Sequence, residues 1–220
     1  VESTSDITVS DDGSAEFHVH IKMPVEASQD MRKGWDASSD SSKEKFFENL
    51  QTSFAQGGKI TEHDVKGLDK RYGPLEFDFK YKAAQIYQVA NDMLLLREDD
   101  PGNVPDFKED QRHYQVFVPT NSLIINRNTY HLSNGLKINA IPSDYDLSSG
   151  FMRAVVKYSK GDGTVTVERD YHLKRATIPP QGFADIKKFR EELEQKNQMY
   201  IILKRKTSLP PETQNWIQKQ

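Results

Sequence analysis

The stretch Leu75-Glu76-Phe77-Asp78-Phe79-Lys80-Tyr81-Lys82 decides the fold class. Apolar and charged residues alternate strictly, so one face of the segment is dry and the other is charged. That two-residue period belongs to a strand. A strand with one wet face belongs to an antiparallel sheet, because a parallel sheet is covered on both sides and its strands read as unbroken apolar runs. The same rhythm appears upstream, where Phe17, Val19, Ile21 and Met23 alternate with Glu16, His18, His20 and Lys22. Asp12-Gly13 just before it is a tight-turn signal, and it joins this strand to one over residues 7–9.

Working outward, further strands are predicted at 85–89 and 93–97, separated by Asn91-Asp92, and at 113–118 and 123–125. Asn134-Gly135 is a type I′ hairpin signal leading into 136–141. Residues 155–158 and 165–173 form a hairpin about Gly161-Asp162-Gly163, and 199–203 is a short apolar strand. Helices interrupt the strands. Ser41 with Glu44 makes a capping box, Phe47, Leu50 and Phe54 fall on one helical face, and Gly57-Gly58 ends the segment. After Pro179-Pro180, a stripe of Phe183, Ile186, Phe189 or Arg190, and Leu193 runs to Asn197. A third helical segment covers 25–35. Strands and helices follow no βαβ rhythm. The expected class is α+β and mainly antiparallel β, with β-sandwich-like sheets and two or three helices on the flank. Residues 1–206 read as a single β-rich domain with a possible sub-boundary near 100–110. Residues 207–220, which include Trp216, read as a tail or linker.

The chain has 220 residues and no cysteine. That excludes disulfides, zinc-thiolate and iron–sulfur sites, and a thiol nucleophile. The formal net charge is −3, so no global basic charge points to nucleic acid or an anionic membrane. The charge is uneven. Residues 1–110 hold 13 basic and 23 acidic side chains, and residues 111–220 hold 17 and 10. The plainer account is two complementary surfaces that fold together. No apolar run is long enough to cross a bilayer as a helix, and no signal-peptide pattern opens the chain. The first residue is Val1, which reads as a processed product or an excised piece.

His18 and His20 stand two apart on a strand's polar face, so their side chains point together and can share a metal. A site needs a third ligand, and His63, His113, His131 and His172 are scattered singly. Solvated surface histidines are the more economical account. The run Glu98-Asp99-Asp100, followed by Asp106, Glu109 and Asp110, could attract a cation but lacks the ligand spacing of an EF-hand loop. No nucleophile elbow, phosphate loop or dinucleotide fingerprint is present. The sequence therefore offers no cofactor site and no catalytic residue.

The segment Asn134-Gly135-Leu136-Lys137-Ile138-Asn139-Ala140-Ile141-Pro142 resembles a strand found in bacterial transglutaminase-like proteins of the transglutaminase/protease superfamily. The resemblance is to the region of unknown function C-terminal to their papain-like core. Gln111-Arg112-His113-Tyr114, the hairpin over 151–173, Ile178-Pro179-Pro180-Gln181-Gly182-Phe183 leading to Phe189-Arg190, and Met199 to Lys204 follow in that group's order. Asp12-Gly13-Ser14 resembles its N-terminal hairpin. Pro142 follows Ile instead of Leu, and Phe183 stands where Tyr is usual. The family's core uses a Cys-His-Asp triad, and this chain has no cysteine to supply it, so no catalytic residue carries over.

The resemblance implies a non-catalytic accessory or interaction domain. Its partner is a transglutaminase-like core of the same polypeptide, or a protein or peptide. Nucleic acid and membrane insertion are not expected. It also implies an extracytoplasmic location, in the periplasm or cell envelope. A carbohydrate-binding β-sandwich module is the alternative, since exposed aromatic rings stack on sugars. The stripe of Phe77, Phe79 and Tyr81 reads better as core.

Overall fold

The computed structural model describes residues 1–54, 59–70, 72–97, 113–118 and 121–206, with side chains left aside at 50–54 and 59. Gly57-Gly58, the sub-boundary at 100–110, the acidic run at 98–110 and the tail at 207–220 lie outside the described residues.

The chain is an α+β molecule built on antiparallel sheets. Fourteen strands are described: β1 (Glu2–Val9), β2 (Ala15–Met23), β3 (Lys59–Lys66), β4 (Leu75–Ala83), β5 (Tyr87–Ala90), β6 (Met93–Arg97), β7 (Val116–Val118), β8 (Ser122–Leu132), β9 (Leu136–Ala140), β10 (Tyr145–Ser148), β11 (Met152–Lys160), β12 (Thr164–Leu173), β13 (Ala176–Ile178) and β14 (Tyr200–Arg205). Three α-helices accompany them: α1 (Val25–Asp36), α2 (Asp40–Phe54) and α3 (Phe183–Asn197). The main sheet has eight strands in the order β10-β11-β12-β8-β1-β2-β4-β3. A four-stranded sheet runs β5-β6-β14-β9, and β13 pairs with β7.

One pairing departs from the antiparallel expectation. β1 and β8 run parallel at the centre of the main sheet, from Glu2 opposite Ile125 to Val9 opposite Leu132. Their separation in sequence makes this geometry accessible, since parallel neighbours need a long connection. The seam unites a β1–β2–β4–β3 half with a β8–β12–β11–β10 half in one sheet.

The deciding stretch is β4. Leu75, Phe77, Phe79, Tyr81 and Ala83 are all buried, opposite Met23, Ile21, Val19, Phe17 and Ala15 on β2. Tyr81 stacks on Phe17 with ring centroids 4.3 Å apart. α1 and α2 cover this end of the inner face. Trp35 and Phe47 meet Phe77 edge-on, and Phe47 also meets Phe79. α3 covers the other end through Phe183, Ile186, Phe189 and Leu193, and the Tyr145 hydroxyl on β10 donates to Asn197 Oδ1 at 2.9 Å.

Local chemistry corrects two expectations. The α2 cap is Ser39 instead of Ser41, because the Ser42 amide donates to Ser39 Oγ at 3.2 Å. Asn134-Gly135 closes no hairpin. β9 pairs with β14 and not with β8, and neither residue has the positive φ that a type I′ turn requires. Asp12-Gly13 does turn β1 into β2. Gly13 has φ of 98°, and Asp12 Oδ1 accepts from the Ser14 amide and hydroxyl.

Candidate functional site

The pleat places His18 and His20 together on the outer face of β2, as their spacing requires. The register adds a third group that the sequence did not reveal. Asp78 on β4 lies directly opposite His20, and His18 lies opposite Lys80. His20 Nδ1 is 3.3 Å and His18 Nε2 is 3.5 Å from the same Asp78 oxygen, Oδ1. Lys66 on β3 holds the other oxygen, Oδ2, at 3.2 Å. Partial burial pushes the Asp78 carboxyl up, but the Lys66 ammonium and His20 together hold it below its usual range.

The cluster works as an electrostatic clasp across three strands. Asp64 lies directly opposite Asp78, so two carboxylates face each other, a destabilising arrangement that the surrounding cations offset. Among the described residues no group of three or more His, Cys, Asp or Glu side chains is placed to hold a metal ion. The remaining histidines do not join the cluster. His131 contacts Asp6 at 3.3 Å, and the His63 ring lies 4.2 Å from that of Phe47. The acidic run at 98–110 falls outside the described residues. Phe77, Phe79 and Tyr81 are core and present no face to a sugar.

The inner face of the main sheet carries a second arrangement. Reading straight across the strands, Val156 on β11, Arg169 on β12, Asn126 on β8 and Ser3 on β1 form one row. The next row holds Val167, Asn128 and Ser5. Arg169 is 1% exposed and Ser5 is 3% exposed, whereas Asn126 and Asn128 are half-buried. Apolar residues surround these five: Ile7, Val19, Ile21, Val165 and Val167 are all buried on the same face. The strip lies between the end of the sheet covered by α1 and α2 and the end covered by α3.

A buried cation also fixes the loop between β3 and β4. Arg32 on α1 donates from Nε to the Gly67 carbonyl at 3.0 Å, and from Nη2 to those of Gly73 at 2.7 Å and Pro74 at 3.2 Å. Three carbonyls converge on one guanidinium, and this orders the turn into β4. The role is structural, since Nε and Nη2 are spent on backbone.

No helix of the described structure is long and apolar enough to cross a membrane. No curated protein and no solved structure matches the chain. The family comparison says nothing of transglutaminase-like proteins; what it identifies is the stretch of residues 96–203, which matches the family model of a domain of unknown function with a solved structure (DUF3858).

Proposed function

We propose that this chain is a non-catalytic accessory domain of a transglutaminase-like polypeptide, extracytoplasmic in location, that docks on the catalytic core or on a protein partner. Missing cysteine and the resemblance of the strand and hairpin motifs motivate the reading. One observation supports it beyond the sequence. Val1, Tyr114, Phe117 and Leu123 are large apolar residues left exposed, Tyr114 to 84%. A hydrogen bond links two of them, and Arg175 lies beside a third. The Val1 nitrogen donates to the Leu123 carbonyl at 2.8 Å. The Arg175 amide donates to Asn121 Oδ1 while its guanidinium lies 6.0 Å from the Phe117 ring. Tyr114 is three residues from Phe117. Aromatic and apolar anchors of this kind carry most of the energy where proteins associate.

The test is binding of the chain to a separately produced transglutaminase-like core. Tyr114→Ala and Phe117→Ala should weaken it by about tenfold each, leaving thermal stability unchanged. Acyl-transfer or hydrolase activity in the chain alone would overturn the proposal, as would binding indifferent to both substitutions.

A further inference from the structure

We infer that the outer face of the four-stranded sheet is a docking site for the chain's own segment 207–220, anchored by Trp216. The two central strands of that sheet lie in unbroken apolar runs, Met93-Leu94-Leu95-Leu96 on β6 and Met199 to Leu203 leading into β14. Such runs belong to strands covered on both faces, whereas a strand with one wet face alternates as β4 does. Here only one face joins the core, through buried Leu94, Leu96, Ile201 and Leu203. Leu95, directly opposite Ile202, falls on the other face with Met93, between Ala90 on β5 and Ala140 on β9. Among the described residues, Met93, Leu95, Tyr200 and Ile202 neither belong to the core nor pack against it. All four are half-buried, so the face keeps apolar surface to cover.

Length, sequence and charge select the occupant. The segment follows directly on β14, the strand that lines the face. Its apolar side chains are Leu209, Trp216 and Ile217, and the rest is polar apart from Pro210-Pro211. The proline pair cannot continue a paired strand and favours a change of direction. Pro211 and Trp216 are five positions apart, a reach of about 17 Å in extended chain. Arg205 and Tyr200 at the two ends of β14 are separated by the same count, so the two spans match. A reversal at the prolines therefore carries Trp216 back over Ile202 and Tyr200. On the way Glu212 passes Lys204 and Lys137, which lie opposite each other on β14 and β9. An acidic residue thus meets a basic rim, and the indole brings a large apolar area to the row behind it. A tethered segment also acts at an effective concentration on the order of millimolar, which favours it over a second copy.

The test is NMR of the isotope-labelled full chain. Nuclear Overhauser contacts are expected between the Trp216 indole and the methyl groups of Met93, Leu95 and Ile202. The indole Nε–H should resonate away from its random-coil position. Trp216→Ala should shift those methyl resonances and leave the methyls of Ile7 and Val19, deep in the main sheet, in place. Leu95→Lys puts a charge on the face without entering the core, and it should abolish the contacts and return the indole to its random-coil position. If Leu95→Lys does not fold, Trp216→Ala decides the matter. A random-coil indole in the native chain, contacts confined to other residues, or unmoved methyls in Trp216→Ala would overturn the proposal. Mixing labelled with unlabelled chain separates the occupants. Contacts that arise between molecules would assign the face to a second copy and overturn the fold-back.

Discussion

Asp78 shows how one side chain can tie three strands. Its carboxylate meets Lys66 from β3 and both His18 and His20 from β2, all on a solvent-facing surface. Its carboxyl is held below the ordinary value of 3.8, so its ionised form favours the folded state. The stabilisation is complete above that ordinary value and fades as pH falls through the lower folded one. Asp78→Asn should cost about 1 kcal/mol at neutral pH, and less than the Coulomb energies suggest because the partners are exposed. Urea denaturation of both proteins at pH 7 and near pH 3 should show the gap closing in acid. Arg32 acts at the same scale with a larger effect. Arg32→Met should destabilise by about 2–4 kcal/mol, since it leaves three carbonyls without their donor. Gly67, whose carbonyl Arg32 holds, has φ of 87°, and a Cβ there would meet the Pro74 oxygen at 2.7 Å. Gly67→Ala should cost about 2 kcal/mol by the same measurement.

Among the elements, α2 shows how an amphipathic helix finds its place. Phe47 is 1% exposed and packs among Trp35, Phe46, Phe77 and Phe79, rings from two helices and a strand. Phe47→Ala should cost about 3–5 kcal/mol, read as a lowered urea midpoint with unchanged slope. The strands divide by how clearly their pattern could be read. β2 and β4 were legible in full because every inward position is apolar. β1 and β8 were not. Their residues 7–9 and 123–125 stood out, yet the strands run over Glu2–Val9 and Ser122–Leu132. The inward positions that hid them are Ser3, Ser5, Asn126 and Asn128, which interrupt the apolar alternation. Polar residues on an inward face thus concealed the full length of both strands. β3 was missed for another reason: it is an edge strand rich in charge, with a register shift between Ile60 and Glu62. The pairing of His18 and His20 was visible as spacing, but the arrival of Asp78 required the register between β2 and β4, which no local pattern carries.

The parallel seam governs the whole molecule. The family model matches residues 96–203, but the central strand β8 within that stretch pairs along most of its length with β1, which lies outside it. Strand β6 spans the start of the match and pairs with both β5, outside it, and β14, which spans its end. Excising 96–203 would therefore expose one edge of β8 and strip β6 of its partner and most of its length. An exposed hydrophobic strand edge templates aggregation, and such edges are covered in stable domains. Residues 1–95 alone would fare no better, since β1 would lose β8. The full chain should then unfold in one cooperative transition, with near-ultraviolet circular dichroism and far-ultraviolet signals coinciding. The 96–203 fragment should be aggregated or lack fixed tertiary structure. Mixing it with a 1–95 fragment should restore a native-like near-ultraviolet spectrum, because the missing contacts are those of the seam and of the divided β6. A soluble, cooperatively folding 96–203 fragment would show that the matched stretch holds its own core and that β1 merely extends a finished sheet.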